Sequence, residues 1–251
     1  MHSTAETVRA EAAAPGHDEG PRRPWDCCVW PLAVFLAAGV LEPTAAGGGL
    51  AATLGIPFSA YPLVYSLKLG ATLLAVARVW RPIRDWLGRP SWWPPLVGAA
   101  LVVPWIVLAA LEREAGLWPG APARAAFDPF AAFGAGSATA GGFLLVRGIG
   151  LVLVVPLVEE LFLRGFLMRY VIDEDFWRVP FGTLTPAAAA ACAAYAALSH
   201  PAEAVAAVVW FATISGIAVA TRRPIDCVLA HAGTNLALGV YVIATGAWWL
   251  V

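Results

Sequence analysis

Residues 142–170, GFLLVRGIGLVLVVPLVEELFLRGFLMRY, are long and apolar enough to cross a bilayer as one helix, yet Glu159, Glu160 and Arg164 lie inside the run. An ionised side chain at that depth is costly, so it marks a functional site or a partner on a neighbouring helix. Glu160 and Arg164 stand four apart, in the acid-before-base order that favours pairing on one helix face, which leaves Glu159 about 100° away. Pro156 lacks an N–H and its ring presses on the carbonyl of Val152, so a kink that admits water is expected beside the acids. A plain transmembrane helix whose charges only pair with its neighbours would read the same way, and the rest of the chain has to decide.

The 251 residues are 60% hydrophobic and 13% charged, with a mean hydropathy of +0.72, far more apolar than the roughly 45–50% of a soluble domain. The predicted fold class is all-α, a polytopic transmembrane helix bundle. With 16 basic against 17 acidic residues there is no charge excess to suggest nucleic acid, and the partners expected are the lipid bilayer and a membrane-associated substrate. Cys27, Cys28, Cys192 and Cys227 have no CxxC spacing and read as small packing residues. Residues 1–24 hold no apolar run, so they read as a disordered cytoplasmic tail and not as a cleaved signal peptide; the run that follows would act as an uncleaved anchor.

Apolar runs predict helices over 25–41, 60–80, 92–111, 142–170, 184–200, 203–220 and 225–251, about seven in all, or eight if the glycine-rich stretch 44–59 adds a span. A long loop, 112–140, precedes the fourth. Arg22 and Arg23, Arg81, Arg84 and Arg89, Arg169 and Arg178, and Arg222 and Arg223 all fall on one side, whereas the other side holds only Arg113 and Arg124. Basic loops stay in the cytoplasm, so a multi-pass protein of a bacterial-type plasma membrane with a cytoplasmic N-terminus is expected. Lys68 and Arg147 lie within spans; Arg147 is close enough to an end to snorkel, and Lys68 has no evident role.

Three further polar residues interrupt the last helices: His200 in AALSHPAE, and His231 with Asn235 in LAHAGTNL. His231 and Asn235 are four apart, so both can converge on one ligand atom, and neither belongs against lipid. The other histidines, His2 and His17, lie in the tail. A lone buried histidine is more often a satisfied core residue; the combination is what points to chemistry. Glu159, with His200 through a water, could take a proton as that water attacks a peptide carbonyl. His231 and Asn235 could then donate to the oxyanion, each such donor being worth about 10²–10³ in rate. Ser199 and Ser215 lie in no nucleophile motif, and Cys192 and Cys227 have no setting that would activate a thiol. Glu159, His200 and His231 also match a His₂Glu zinc site by count, although no HExxH spacing is present. No cofactor is required by the water route, and helix spacing leaves Zn²⁺ open.

The order EE-x-x-x-R, then a helix ending in His, then H-x-x-x-N in the last helix, resembles the CPBP family of intramembrane proteases, which includes the type II CAAX prenyl endopeptidases and bacteriocin-processing or immunity proteins. The arginine-rich link after the second helix is similar to that of the bacterial CAAX prenyl protease-related branch. The resemblance implies a single transmembrane protease domain over 25–251 with its motifs in 156–235. It implies that Glu159 and His200 activate water, that His231 and Asn235 form the oxyanion pocket, and that Glu160 and Arg164 support them. In the family a phenylalanine usually stands four residues before the first histidine; here that position is Ala196, with Tyr195 one residue earlier. His200 also reads as closer to the outer end of its helix than Glu159. A non-catalytic membrane scaffold or immunity-type binding protein that keeps the polar bundle is the alternative; it would retain activity in Glu159→Gln, where a peptidase would not.

Overall fold

The computed structural model describes residues 20–118 and 126–251, and among them every regular element is helical. Among the described residues the apolar helices are α1 Pro24–Gly39, α2 Phe58–Arg78, α3 Pro94–Glu114, α4 Ala138–Tyr170, α5 Pro186–Ser199, α6 Ala204–Thr221 and α7 Pro224–Thr245. Five of them, α2, α3, α4, α6 and α7, are long and apolar enough to cross a membrane, while α1 and α5 are apolar but shorter. The chain is an integral membrane protein. Each apolar run therefore becomes a helix, but fewer of them than expected have the length of a full crossing. The stretch 44–59 holds only a short helix, Gly49–Thr53, and the start of a 3₁₀ turn, Phe58–Ala60. Residues 1–19 of the expected tail, with His2 and His17, lie outside the described residues, as does Arg124. The end of that tail is tied down, with Gly20 donating its N–H to the Trp177 carbonyl at 2.8 Å.

Local chemistry sets the helix starts. Proline occupies the first turn of α1, α3, α5 and α7, where a missing N–H costs nothing. Ser137 Oγ accepts from Ala140 N at 3.1 Å to cap α4, and Thr185 Oγ1 accepts from Ala188 N at 3.2 Å to cap α5. The start of α6 is capped from another helix: buried Glu112 of α3 accepts from Val205 N at 3.0 Å and Ala206 N at 2.8 Å. A carboxylate there meets both the orphan donors and the positive end of the helix dipole.

Lipid tails are as apolar as leucine, so the helices hold together by close packing and hydrogen bonds. A Cβ on Gly98 would run into the carbonyl of Ala230, and one on Gly233 into that of Pro95, which shows the α3 and α7 backbones touching. Thr234 Oγ1 donates to the Gly98 carbonyl at 2.6 Å, and buried Asp226 accepts from Ser91 N and Oγ at 2.7 and 2.8 Å. Between α2 and α4 the packing is aromatic, with Tyr61, Tyr65, Phe127 and Phe143 in mutual edge and stacked contact. After α2, the helix Trp80–Leu87 buries Ile83, Trp86 and Leu87 and exposes Arg81 and Arg84, so this basic link is an amphipathic surface helix. Arg169, counted with the basic loops, is instead fully buried and donates to the Gly165, Trp177 and Val179 carbonyls.

Candidate active site

Helix α4 is not a plain α-helix. Its segments Gly150–Val154 and Leu163–Leu167 are π turns, which flank the α-helical Val155–Phe162 that carries both glutamates. The kink expected at Pro156 takes this form, and its chemistry can be followed atom by atom. In the π turn the N–H of Val155 goes to Gly150 O, so the carbonyl of Leu151 would look for the N–H of residue 156, which is proline. Asn235 supplies the missing donor, its Nδ2 reaching Leu151 O at 2.7 Å. The turn also alters which residues share a face. In a regular α-helix the i→i+4 positions drift by about 40° per step, but the wider π turn cuts that drift back. Arg147, Leu151, Val155 and Glu159 accordingly all line one cavity.

That cavity, of about 440 Å³, is also lined by His200, His231 and Asn235. The four residues singled out in the sequence come from α4, α7 and the end of α5, and the fold brings them together. The depth discrepancy at His200 has a simple cause. Helix α5 has 14 residues, about 21 Å at 1.5 Å per residue, and stops short of a full crossing. Its C-cap His200 lies with its ring 5.5 Å from that of Trp105, midway along α3.

Glu160 and Arg164 are paired at 3.0 Å with both side chains buried, as their spacing predicts. Arg164 also donates to the Phe211 carbonyl at 2.8 Å, fixing α4 to α6. Glu160 has a second partner that sequence reasoning missed: its Oε1 lies 3.0 Å from His231 Nδ1. A carboxylate facing Nδ1 selects the tautomer with the proton there, leaving Nε2 to face Glu159 Oε2 at 3.9 Å. Glu159 is thus not set apart from the other charges. The His231 ring is held from the side by Trp210, at 4.5 Å, whose Nε1 donates to Thr234 Oγ1 at 3.0 Å.

His200 is oriented by its neighbour. Ser199 Oγ donates to the Tyr195 carbonyl at 2.8 Å and lies 2.8 Å from His200 Nδ1, which fixes the ring on the cavity wall. Tyr195 lines the cavity and packs on Phe162 and Phe211 at 5.7 and 6.0 Å, so it supplies the aromatic ring that Ala196, buried behind it, cannot. The Asn235 amide has one N–H committed to Leu151 O and keeps a second. One reading needs correction: Arg147 does not snorkel but is buried, donating to Phe127 O at 3.0 Å. Glu42, Tyr61, Tyr65 and Lys68, which complete the cavity wall, carried no sequence signal beyond the position of Lys68 inside an apolar run. Among the described residues, no three His, Cys, Asp or Glu side chains are arranged to hold a metal ion, so Glu159, His200 and His231 share a cavity without forming a ligand set.

Comparisons with curated proteins and with solved structures returned no match. A family model described as Rce1-like, type II CAAX prenyl endopeptidase, matches residues 141–237. That span contains Glu159, Glu160, Arg164, His200, His231 and Asn235. Over that span the chain is similar to the type II CAAX prenyl endopeptidases, which points to a membrane protease in general.

Proposed function

We propose that the protein is an intramembrane endopeptidase that hydrolyses a peptide bond of a membrane-associated protein or lipopeptide with a water activated by Glu159 and His200. The observation that carries this reading is the convergence of Glu159, His200, His231 and Asn235 on one cavity. The water gives a proton to Glu159 as its oxygen adds to the carbonyl carbon; general-base help of this kind is worth about 10²–10⁴. The oxyanion then meets the second N–H of Asn235 and the Nε2–H of His231, which enters and leaves the cycle as an imidazolium with Glu160 holding Nδ1. Collapse of the intermediate breaks the C–N bond, and Glu159 returns its proton to the leaving amine. No step calls on a metal. We place the N-terminus in the cytoplasm, with α1 and α5 as partial crossings of a seven-helix bundle.

The test is hydrolysis by purified protein in detergent of peptides released from membrane-fraction proteins, run in ¹⁸O water. The reading expects one ¹⁸O atom in each new C-terminus, loss of those products in His200→Ala and His231→Ala, and full activity after treatment with chelators. Activity abolished by chelation and restored by zinc would replace the metal-free mechanism, and intact products from both histidine variants would remove the site.

A further inference from the structure

We propose that the segment after α7, residues 247–251, is a hinged cover that gates the catalytic cavity to water and to charged products; the purpose assigned to it rests on reading the protein as a peptidase. Helix α7 ends at Thr245, and Gly246 turns the chain at φ +72°, a conformation that costs glycine little. A 3₁₀ turn, Trp248–Leu250, follows and folds back on the bundle. Leu250, 1% exposed, and Val251 line the same cavity as Glu159, His200 and Trp105. Trp248 stands 6.0 Å from the Phe130 ring, and the guanidinium carbon of Arg113, in the last turn of α3, lies 4.6 Å from the Trp249 ring centroid. The segment thus covers the cavity at the end of the bundle opposite Arg222 and Arg223, which precede α7. Helix α5 stops at His200, so the wall beyond it must come from elsewhere, and Leu250 and Val251 supply part of it.

The segment is held differently from the helices it touches. Glu112, Arg164 and Thr234 fasten α3, α4, α6 and α7 to one another through buried hydrogen bonds. The hydrogen bonds of the segment are local: Trp248 N–H to Gly246 O at 2.8 Å, Leu250 N–H to Ala247 O at 3.1 Å and Val251 N–H to Trp248 O at 3.2 Å. Among the described residues, 247–251 have no hydrogen bond or ion pair to another helix. Apolar burial and the Arg113–Trp249 contact hold it down. A short unit with one tether, a glycine pivot and no polar bond across its edge opens as a piece, well below the cost of global unfolding. The chemistry gives that opening a use. Hydrolysis consumes a water and leaves a new carboxylate and a new amine, and both ionised ends are poorly solvated beside Leu151, Val155 and Leu238. With the segment closed, bulk water is kept from the bond being cut; with it open, water enters and the charged ends reach the aqueous phase.

The first experiment does not depend on turnover. Leu238→Cys places a thiol on the cavity wall, and its reaction with a charged methanethiosulfonate is followed by mass spectrometry on the full chain in detergent; the native cysteines are all buried and the unsubstituted chain is the blank. Ending the chain after Gly246 should speed that reaction about 10- to 100-fold, the worth of one buried leucine. Arg113→Met, which removes the cation–π contact and leaves the fold in place, should speed it about 2- to 5-fold. Labelling of the intact chain as fast as that of the shortened one, at equal melting temperatures, would overturn the cover. The second experiment asks whether the cover must move. A short bis-maleimide joins the thiols of Arg113→Cys and Trp249→Cys in one chain, with each single variant treated alike as the control. The joined protein should lose most of its kcat for peptide cleavage with little change in KM, and the single variants should keep theirs. Unchanged kcat in the joined protein would make the segment a fixed wall and overturn the gate while leaving the peptidase reading intact. A chain that cuts no peptide fails that reading, and the labelling rates still decide whether the segment closes the cavity.

Discussion

The two walls of the cavity are built by different means. On the side of α3, α4, α6 and α7, backbones touch through Gly98 and Gly233, and buried polar groups fasten one helix to the next: Glu160 to Arg164 and His231, Arg164 to Phe211 O, Asp226 to Ser91, Glu112 to the start of α6. On the side of α1 and α2 the contacts are aromatic, with, among the described residues, an ion pair between Lys68 and Glu42. Close backbone packing with buried ion pairs and hydrogen bonds between helices holds side chains in place, as general-base and oxyanion chemistry demand. Aromatic packing leaves room, and a wall of that kind suits the part of a substrate that varies.

The difference can be tested by breaking each wall in turn. Arg164→Ala should do the most damage, because it leaves Glu160 buried beside His231 without its cation; a loss of about 3–5 kcal/mol is expected, read as a fall in melting temperature in detergent. Gly98→Val forces the α3 and α7 backbones apart and should cost about 3 kcal/mol, with the loss of cleavage following the loss of fold. Across the cavity, Lys68→Met should cost less, about 1–2 kcal/mol, since the Glu42 side chain is 21% exposed although Lys68 is buried. Tyr65→Phe, which gives up a 3.4 Å hydrogen bond to the Arg147 carbonyl, should change stability by about 0.5 kcal/mol or less. A Lys68 variant that unfolds as readily as the Arg164 variant would erase the distinction between the walls.

How much of this could be read in advance follows the same division. Glu159, Glu160, Arg164, His200, His231 and Asn235 stood out because an ionisable or amide group inside an apolar run is expensive and needs a reason. The helices could be read from run length, and the Glu160–Arg164 pair from its spacing. The contacts of His231 with Glu160 and of Asn235 with Leu151 join residues 71 and 84 apart in the chain, and no local pattern encodes them. Pro156 marked a break, but whether the helix would kink or widen depended on the donor that α7 could offer to Leu151. The far wall was the least legible part: Glu42 sits in a glycine-rich link, and the aromatic residues around Lys68 read as ordinary membrane-helix composition.

The account depends most on Glu159. Glu159→Gln keeps the shape and hydrogen-bonding reach of the side chain but cannot accept the water's proton. Measured beside the wild type in one detergent, with equal melting temperatures, the variant should cut peptides about 10²–10⁴-fold more slowly. Cleavage at the wild-type rate by a folded Glu159→Gln protein would contradict the assignment and return the polar cluster to a structural role.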